Sequence, residues 1–394
     1  MKRIYLVVFM IVFGLSLVAC NQDEQVDGDS NNKELDSYKI GAIYSKTGSN
    51  NPLGEPEWKA TELLVEQINN AGGINGVPLE VILADDESTP EKAIQEMNRL
   101  IHDENVLAVL GSSGSTESLA MKGIAMREEV PMISAAASVQ IVEPVEESKW
   151  VFKTPQSDRH AAERLYIYMQ EQGIQKIGLL TDSNAFGESG REQLEYYAEE
   201  YGVEIVAKEV YNMEDPDMST QLTKINSAGA EVVVTWGTNP GPATIAINMK
   251  DLGMDIPHLS SHGVANEAFI NLAQDASEGV VIATGRLLFP SQIPEDDPHY
   301  EVISEFYEKY TEKYDSEPTN FASYGHDNLM LIVEALQAGH TDRQSIRDYL
   351  ENNIKDWVGT TGTFNMSSED HNGLSADSLV IAEVKDGKWT FLEN

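Results

Sequence analysis

The sequence predicts an α/β protein built as two doubly wound domains. Two series of short apolar runs alternate with segments of helical period, one on each side of Trp150. The chain has 394 residues, enough for about two domains that each bury a core. No short-period repeat suggests a solenoid or propeller instead.

Ahead of both series lies a leader. Lys2 and Arg3 precede an apolar run from Ile4 to Ala19, which ends in Leu17-Val18-Ala19-Cys20. A bacterial lipoprotein signal has this layout, with the cysteine thiol receiving a diacylglycerol group. The run is 16 residues, short of the roughly 20 that span a bilayer. Residues 1–19 therefore read as a cleaved signal peptide rather than a retained membrane anchor. The mature protein is expected on the extracytoplasmic face of the cell membrane, held by lipid on Cys20. That residue is the single cysteine, so lipidation leaves no thiol for a disulfide, a metal or a nucleophile. Residues 20–37 are almost all polar and read as a disordered tether.

The first series runs in order from Tyr38. Ile40 to Tyr44 is an apolar strand, followed by a helix from Glu57 to Asn70 that Gly72-Gly73 stops. Leu79 to Ala84 is the second strand. Pro90 opens a helix with Ile94, Met97 and Ile101 on one face. Val106 to Leu110, a helix from Ser115 to Glu128, and Pro131 to Ile133 complete it. The second series places strands at Lys176 to Leu180, Val203 to Val210, Glu231 to Trp236, His258 to Ser261 and Gly279 to Ala283, with helices between. Three helical stretches follow: Pro298 to Tyr314, Asn320 to Ala338 and Arg343 to Asn352. Leu379 to Val384 and Trp389 to Leu392 read as a hairpin through Asp386-Gly387.

Composition excludes some partners. There are 27 basic against 65 acidic residues, a net charge of −38 that becomes −40 once Lys2 and Arg3 leave with the signal. Such a surface repels a phosphate backbone and anionic lipid, so nucleic-acid binding is not expected. The acidity fits either adaptation to salt or high pH, or a plain solubilising surface. Enzyme signatures are missing: no Gly-x-Ser-x-Gly elbow, no His-Glu-x-x-His, no Gly-x-Gly-x-x-Gly after the first strand. His258 and His262 fall in a strand and the loop after it, so they do not form a helical metal pair. Asp85-Asp86 reads as a solvated strand end. No metal, no cofactor and no catalysis are expected.

Ligands of open α/β sheets bind beyond the carboxyl ends of the strands. After the third strand comes Gly111-Ser112-Ser113-Gly114-Ser115-Thr116, whose backbone N–H groups suit an anion; Ser115 or Thr116 also suits an ordinary N-cap, and both can hold at once. After the next strand, Ser134-Ala135-Ala136-Ala137-Ser138 leaves room for a ligand and exposes carbonyls.

These segments together resemble the type I periplasmic binding proteins, and within them the branched-chain amino-acid-binding proteins of ABC importers. The resemblance rests on Ile40 to Tyr44 with Gly48 and Gly54, on Ala71-Gly72-Gly73-Ile74-Asn75-Gly76, on Asp85-Asp86 with Pro90 and Ala93, on Pro131 to Ser134 with Ala136 and Ser138, on Phe186-Gly187, and on Gly263-Val264-Ala265-Asn266. It covers the chain from about Tyr38 onward. It implies two Rossmann-like domains joined by a multi-crossover hinge, residues 38–156 with 286–365 and residues 157–285 with 366–394. It implies that Ser115 and Ser138 hold a ligand carboxylate, that the Ala136 carbonyl receives an ammonium, and that Phe186 and Thr238 face the ligand from the second domain.

One departure stands out. Where the relatives place an acid that pairs with the ammonium, this chain has His262. An unperturbed histidine, with a pKa of about 6.5, is mostly neutral at neutral pH. Either His262 donates to a second ligand oxygen, or it turns away and Asp182 or Glu188 does the pairing. The implied role is a monomeric binding protein serving a permease and its ATPase. The implied ligand is a branched-chain or other apolar amino acid, or an aromatic or apolar acid lacking the amino group. A ligand-sensing receptor module and an exported hydrolase are the rival roles.

Overall fold

Strand β1 (Tyr38–Tyr44) buries both of its faces. Ile40, Ala42 and Tyr44 enter one core, while Ile43 enters another on the opposite side. A strand sandwiched between two helical layers produces that alternation. The chain is seen here in a computed structural model that describes residues 36–392; the signal peptide, Cys20 and the tether up to residue 35 lie outside the described residues. Among the described residues no helix is long and apolar enough to cross a membrane.

From β1 the chain runs through α1 (Asn51–Asn70), β2 (Leu79–Asp85), α2 (Pro90–His102), β3 (Val109–Gly111), α3 (Ser115–Glu128), β4 (Met132–Ser134) and β5 (Val151–Lys153). The five strands are parallel, in the order β2-β1-β3-β4-β5. Met97, Leu100 and Ile101 of α2 and Met121, Ile124 and Ala125 of α3 cover one face. The short β5, which follows a polar stretch, is the strand the sequence does not announce.

The second lobe repeats the plan. It contains α4 (Asp158–Glu171), β6 (Lys176–Asp182), α5 (Ala185–Tyr201), β7 (Glu204–Tyr211), α6 (Ser219–Ser227), β8 (Val232–Trp236), α7 (Gly241–Asp251), β9 (His258–Ser260), α8 (Glu267–Ala273) and β10 (Val281–Thr284). Its parallel strands run β7-β6-β8-β9-β10, the same relative order as the first lobe. Leu165 and Tyr166 of α4 and Leu194 of α5 cover one face. Leu222 of α6 and Ile245 and Met249 of α7 cover the other.

Helices α9 (Tyr300–Tyr314), α10 (Asn320–Gln337) and α11 (Arg343–Asn353) return to the first lobe. Leu329, Leu331 and Ile332 of α10 close the face of the first sheet that carries Ile40, Leu110, Ile133 and Phe152. The small hairpin of β11 (Trp357–Val358) and β12 (Thr363–Phe364) follows. Then β13 (Val380–Lys385) and β14 (Lys388–Phe391) add an antiparallel edge to the second sheet beyond β10.

The expected crossing at residue 366 shifts toward the C-terminus. Met366 and Leu374 pack in the first-lobe core. Asn372 Nδ2 donates to the carbonyls of Lys153 at 3.1 Å and Pro155 at 3.0 Å. The polar turn at 370–373 is thus pinned to the first lobe, and the chain crosses after it. Gln156 ties the crossing segments together: its Nε2 donates to Thr361 O at 2.9 Å and Ser378 O at 3.4 Å.

Candidate functional site

A cavity of about 150 Å³ opens where the carboxyl ends of strands from both sheets face each other. In each lobe the strand order reverses at the first strand, between β1 and β3 and between β6 and β8, and a switch point of this kind leaves room for a ligand. The lining residues follow strand ends almost without exception. Ser49 and Asn50 come after β1, Ser88 after β2, Ser113 to Glu117 after β3 and Ala135 to Ala137 after β4. Asn184 and Phe186 come after β6, Met213 after β7, Thr238 after β8, and His262 and Gly263 after β9.

The first-lobe wall is a bonded polar network. Gly111, at φ +98, turns the chain at the end of β3; any side chain there would strike the Ile43 carbonyl. That turn brings Ser112 Oγ onto Asp86 and Ser113 Oγ onto Glu57. Ser45 Oγ also donates to Asp86, at 2.7 Å, and the Ser88 N–H donates to it at 2.9 Å. Asp86 is therefore a buried hydrogen-bond hub, not the solvated strand end its sequence neighbourhood suggests. Burial raises its pKa, against the pull of Ser112 and Ser45. Burial lifts Glu57 further, with the Asp86 charge adding to it. Gly114 occupies the N-cap of α3, so neither Ser115 nor Thr116 caps it, and Ser115 stands at the first helical position facing the cavity.

The second-lobe wall is aromatic and under-bonded. His262 is 2 % exposed, and its ring lies edge-on to Phe186 at 5.6 Å and to Trp236 at 6.0 Å. The Gln156 backbone lies near the ring, but at no distance that satisfies either nitrogen; Trp236 Nε1, Thr238 Oγ1 and Tyr211 Oη are likewise without a partner among the described residues. Burial holds the His262 pKa down at about 3, and the charges of Lys153 and His160 add to the effect. The imidazole is neutral at any ordinary pH, able to donate through one nitrogen and accept through the other.

The structure brings Ser115, Ala136, Phe186, Thr238 and His262 to one cavity. Ser138 is not on its wall. It is fully buried behind Ser115, its N–H donating to Ser115 Oγ at 3.3 Å, while its own Oγ accepts from Gln140 N. Asp182 and Glu188 do not reach the cavity either. Asp182 accepts from Asn184 Nδ2 at 2.8 Å, and Glu188 lies on the surface 3.7 Å from Arg191. The sequence reading overlooked Asn50, Ser88, Glu117, Met213, Phe321 and Tyr324. Asn50, Ser88 and Met213 lie in loops after strands, where the same rule would have found them, whereas Glu117 lies inside α3. Phe321 and Tyr324 sit on α10, and only the tertiary fold brings them in.

Comparison with known proteins agrees with this fold. A family model described as "Periplasmic binding protein" matches residues 37–388. The leucine-, isoleucine-, valine-, threonine- and alanine-binding protein of Pseudomonas aeruginosa is 25% identical over 351 residues, covering 88% of this chain and 90% of that protein. An extracellular ligand-binding receptor from Rhodopseudomonas palustris superposes with a TM-score of 0.83 at 29% identity, over 90% of this chain and 99% of its own. The branched-chain amino acid transporter substrate-binding protein LivJ of Streptococcus pneumoniae, in complex with isoleucine, superposes with a TM-score of 0.79 at 25% identity, over 90% of this chain and 97% of its own. The family match over residues 37–388, together with the sheet order, shows that this chain belongs to the periplasmic binding proteins of type I, a family of substrate-binding proteins rather than enzymes.

Proposed function

We propose that this protein is the lipid-anchored, extracytoplasmic binding component of an ABC importer, and that it takes a small carboxylate with an apolar body. The observation that carries the reading is the shared cavity, walled by one lobe with hydroxyls and a helix start and by the other with aromatic rings. The Ser115 hydroxyl and the free N–H groups at the start of α3 suit a carboxylate. Phe186, Leu53 and Phe321 suit an apolar body. Ala136 presents its carbonyl as an acceptor for an N–H donor. Ser138 acts one step back, through Ser115.

Binding works by closure. A ligand touching both walls favours the state in which the lobes meet, by the difference in its affinity for the two states. The crossing segments that Gln156 ties together form the hinge. The closed monomer then offers one joined surface to the permease, while lipid on Cys20 keeps it near the membrane. No bond is made or broken.

A branched-chain or other apolar amino acid is the first candidate, and the matching acid without an amino group is the second. Mass spectrometry of small molecules carried through purification, followed by calorimetry with amino acids and organic acids, tests the reading. Saturable binding of at least one such carboxylate is expected; failure of the whole panel would sink it. For the anchor, Cys20→Ala should release the protein from membranes or leave its precursor uncleaved. Normal retention of a processed variant would rule the lipid out.

A further inference from the structure

Glu117 differs from the other first-lobe carboxyl groups. Glu57 and Asp86 are tied to serines. Glu117, third residue of α3, is 4% exposed and borders the cavity, yet among the described residues the hydrogen bond to its carboxyl comes from its own backbone N–H. The space it occupies is created by Gly114. A methyl group on that residue would lie 1.9 Å from Glu117 Oε2 and 2.8 Å from Asn50 Nδ2. The carboxyl and the Asn50 amide thus share one end of the cavity.

No Lys or Arg lines the cavity, and its one basic side chain, His262, is neutral. A buried acid with no counter-charge is costly unless it is protonated or meets a cation. A ligand carboxylate at Ser115, two residues away, makes the repulsion worse. A ligand that brings a positive charge along with its carboxylate removes it.

We propose that Glu117 reads a protonated nitrogen on the ligand, supplying from the first lobe the acidic partner that the second lobe lacks at His262. The inference rests on the carboxylate-binding role proposed above. The nitrogen is either on the ligand's α-carbon or at its far end; the chemistry Glu117 recognises is the same.

Burial, with the charges of Asp86 and Glu91 adding to it, pushes Glu117 up to about 7. The groups around it are Asp86 after β2, Glu91 on α2, Glu57 on α1 held by Ser113, and neutral His262 across the cavity. A cation favours the ionised carboxyl. Affinity for an amine-bearing ligand should therefore rise as pH passes upward through about 7. Affinity for a plain acid should fall over the same range, because the ionised Glu117 repels it.

Three six-carbon acids separate the possibilities by calorimetry: hexanoate with no nitrogen, L-norleucine with one on the α-carbon, and 6-aminohexanoate with one at the far end. Wild type should bind one of the two amines at least tenfold more tightly than hexanoate. Glu117→Gln should abolish that preference and leave hexanoate bound as well as before or better. Which amine wins locates the nitrogen. Hexanoate binding as tightly as both amines, or a preference that survives Glu117→Gln, would overturn the inference while leaving the carboxylate reading intact. Binding of none of the three to wild type removes that reading and the inference with it. Wild type alone gives a second measurement, from pH 6 to 8: opposite slopes for the preferred amine and hexanoate support the role of Glu117, and parallel slopes refute it.

Discussion

The two walls of the cavity are finished to different degrees. On the first-lobe side, Ser45, Ser112 and Ser113 spend their hydroxyls on Asp86 and Glu57, and Ser118 Oγ pairs with Ser134 Oγ at 2.8 Å. On the second-lobe side, His262 and Thr238 bring unsatisfied polar atoms to the cavity, and Trp236 and Tyr211 hold others behind the wall. Leaving a buried donor or acceptor unmade costs about 1–3 kcal/mol. Apart from Glu57 Oε1, the first wall has met that cost within itself, so it is stiff and shapes the site. The second wall has not, so it gains most from whatever enters. A substitution in the first wall should therefore cost stability before affinity, and one in the second should cost affinity before stability.

The strongest way to break this contrast is Asp86→Ala. It strands the Ser45 and Ser112 hydroxyls and the Ser88 N–H at once. A loss of about 3 kcal/mol in urea unfolding is expected; a loss under about 1 kcal/mol would mean that the network does not stiffen the wall.

His262→Leu should do the opposite. It removes two unpartnered nitrogens, so the ligand-free protein should be as stable as wild type or more so at pH 7, while ligand affinity drops. The pH dependence sharpens the test. The folded-state pKa of His262 is depressed to about 3, against about 6.5 in an unfolded chain. The unfolded state takes up the proton first as pH falls, so wild type loses stability from pH 6.5 downward and the variant lacks that loss. The gap between them should widen by about 1.4 kcal/mol per pH unit, or about 2 kcal/mol by pH 5. A constant gap would place a partner on the ring.

Smaller effects separate the two serines. Ser115→Ala removes a donor on the cavity wall and should weaken binding about tenfold. Ser138→Ala leaves its backbone N–H on Ser115 and should weaken binding by about threefold or less. Equal losses in calorimetry would put Ser138 itself on the ligand.

Much of this was legible in the sequence because strand and helix periods differ. The helix from Ser115 to Glu128 and the start of the one at Asn320 agree with expectation to the residue. Ser115 and Ala136, in loops the strand-end rule picked out, line the cavity, as do Phe186 and Thr238, which the resemblance implied. What was not legible depends on burial by distant chain. Asp86 looks solvated until Ser45 and Ser112 fold over it. Glu117 looks like an ordinary acid in a helix first turn until Gly114 and Asn50 enclose it. The three-residue β5 carries too little pattern to stand out.

The returning helices have a consequence for the order in which the chain takes shape. The parallel strands of the second lobe lie in one stretch, residues 176–284. The first lobe's strands end at Lys153, but α10, which covers one of their faces, begins only at Asn320. Until then Ile40, Leu110, Ile133 and Phe152 share their core with Leu53 and Leu64 of α1 but lack α10. Each lobe thus waits on chain made later, the first on α10 and the second on Leu379 and Ile381 of its core, and a holdase that shields apolar strands would act on residues 38–153. A chain stopped at residue 319 should be cut within 38–153 where the full chain is not; equal resistance of that stretch in both would show that the first sheet closes without its late helix.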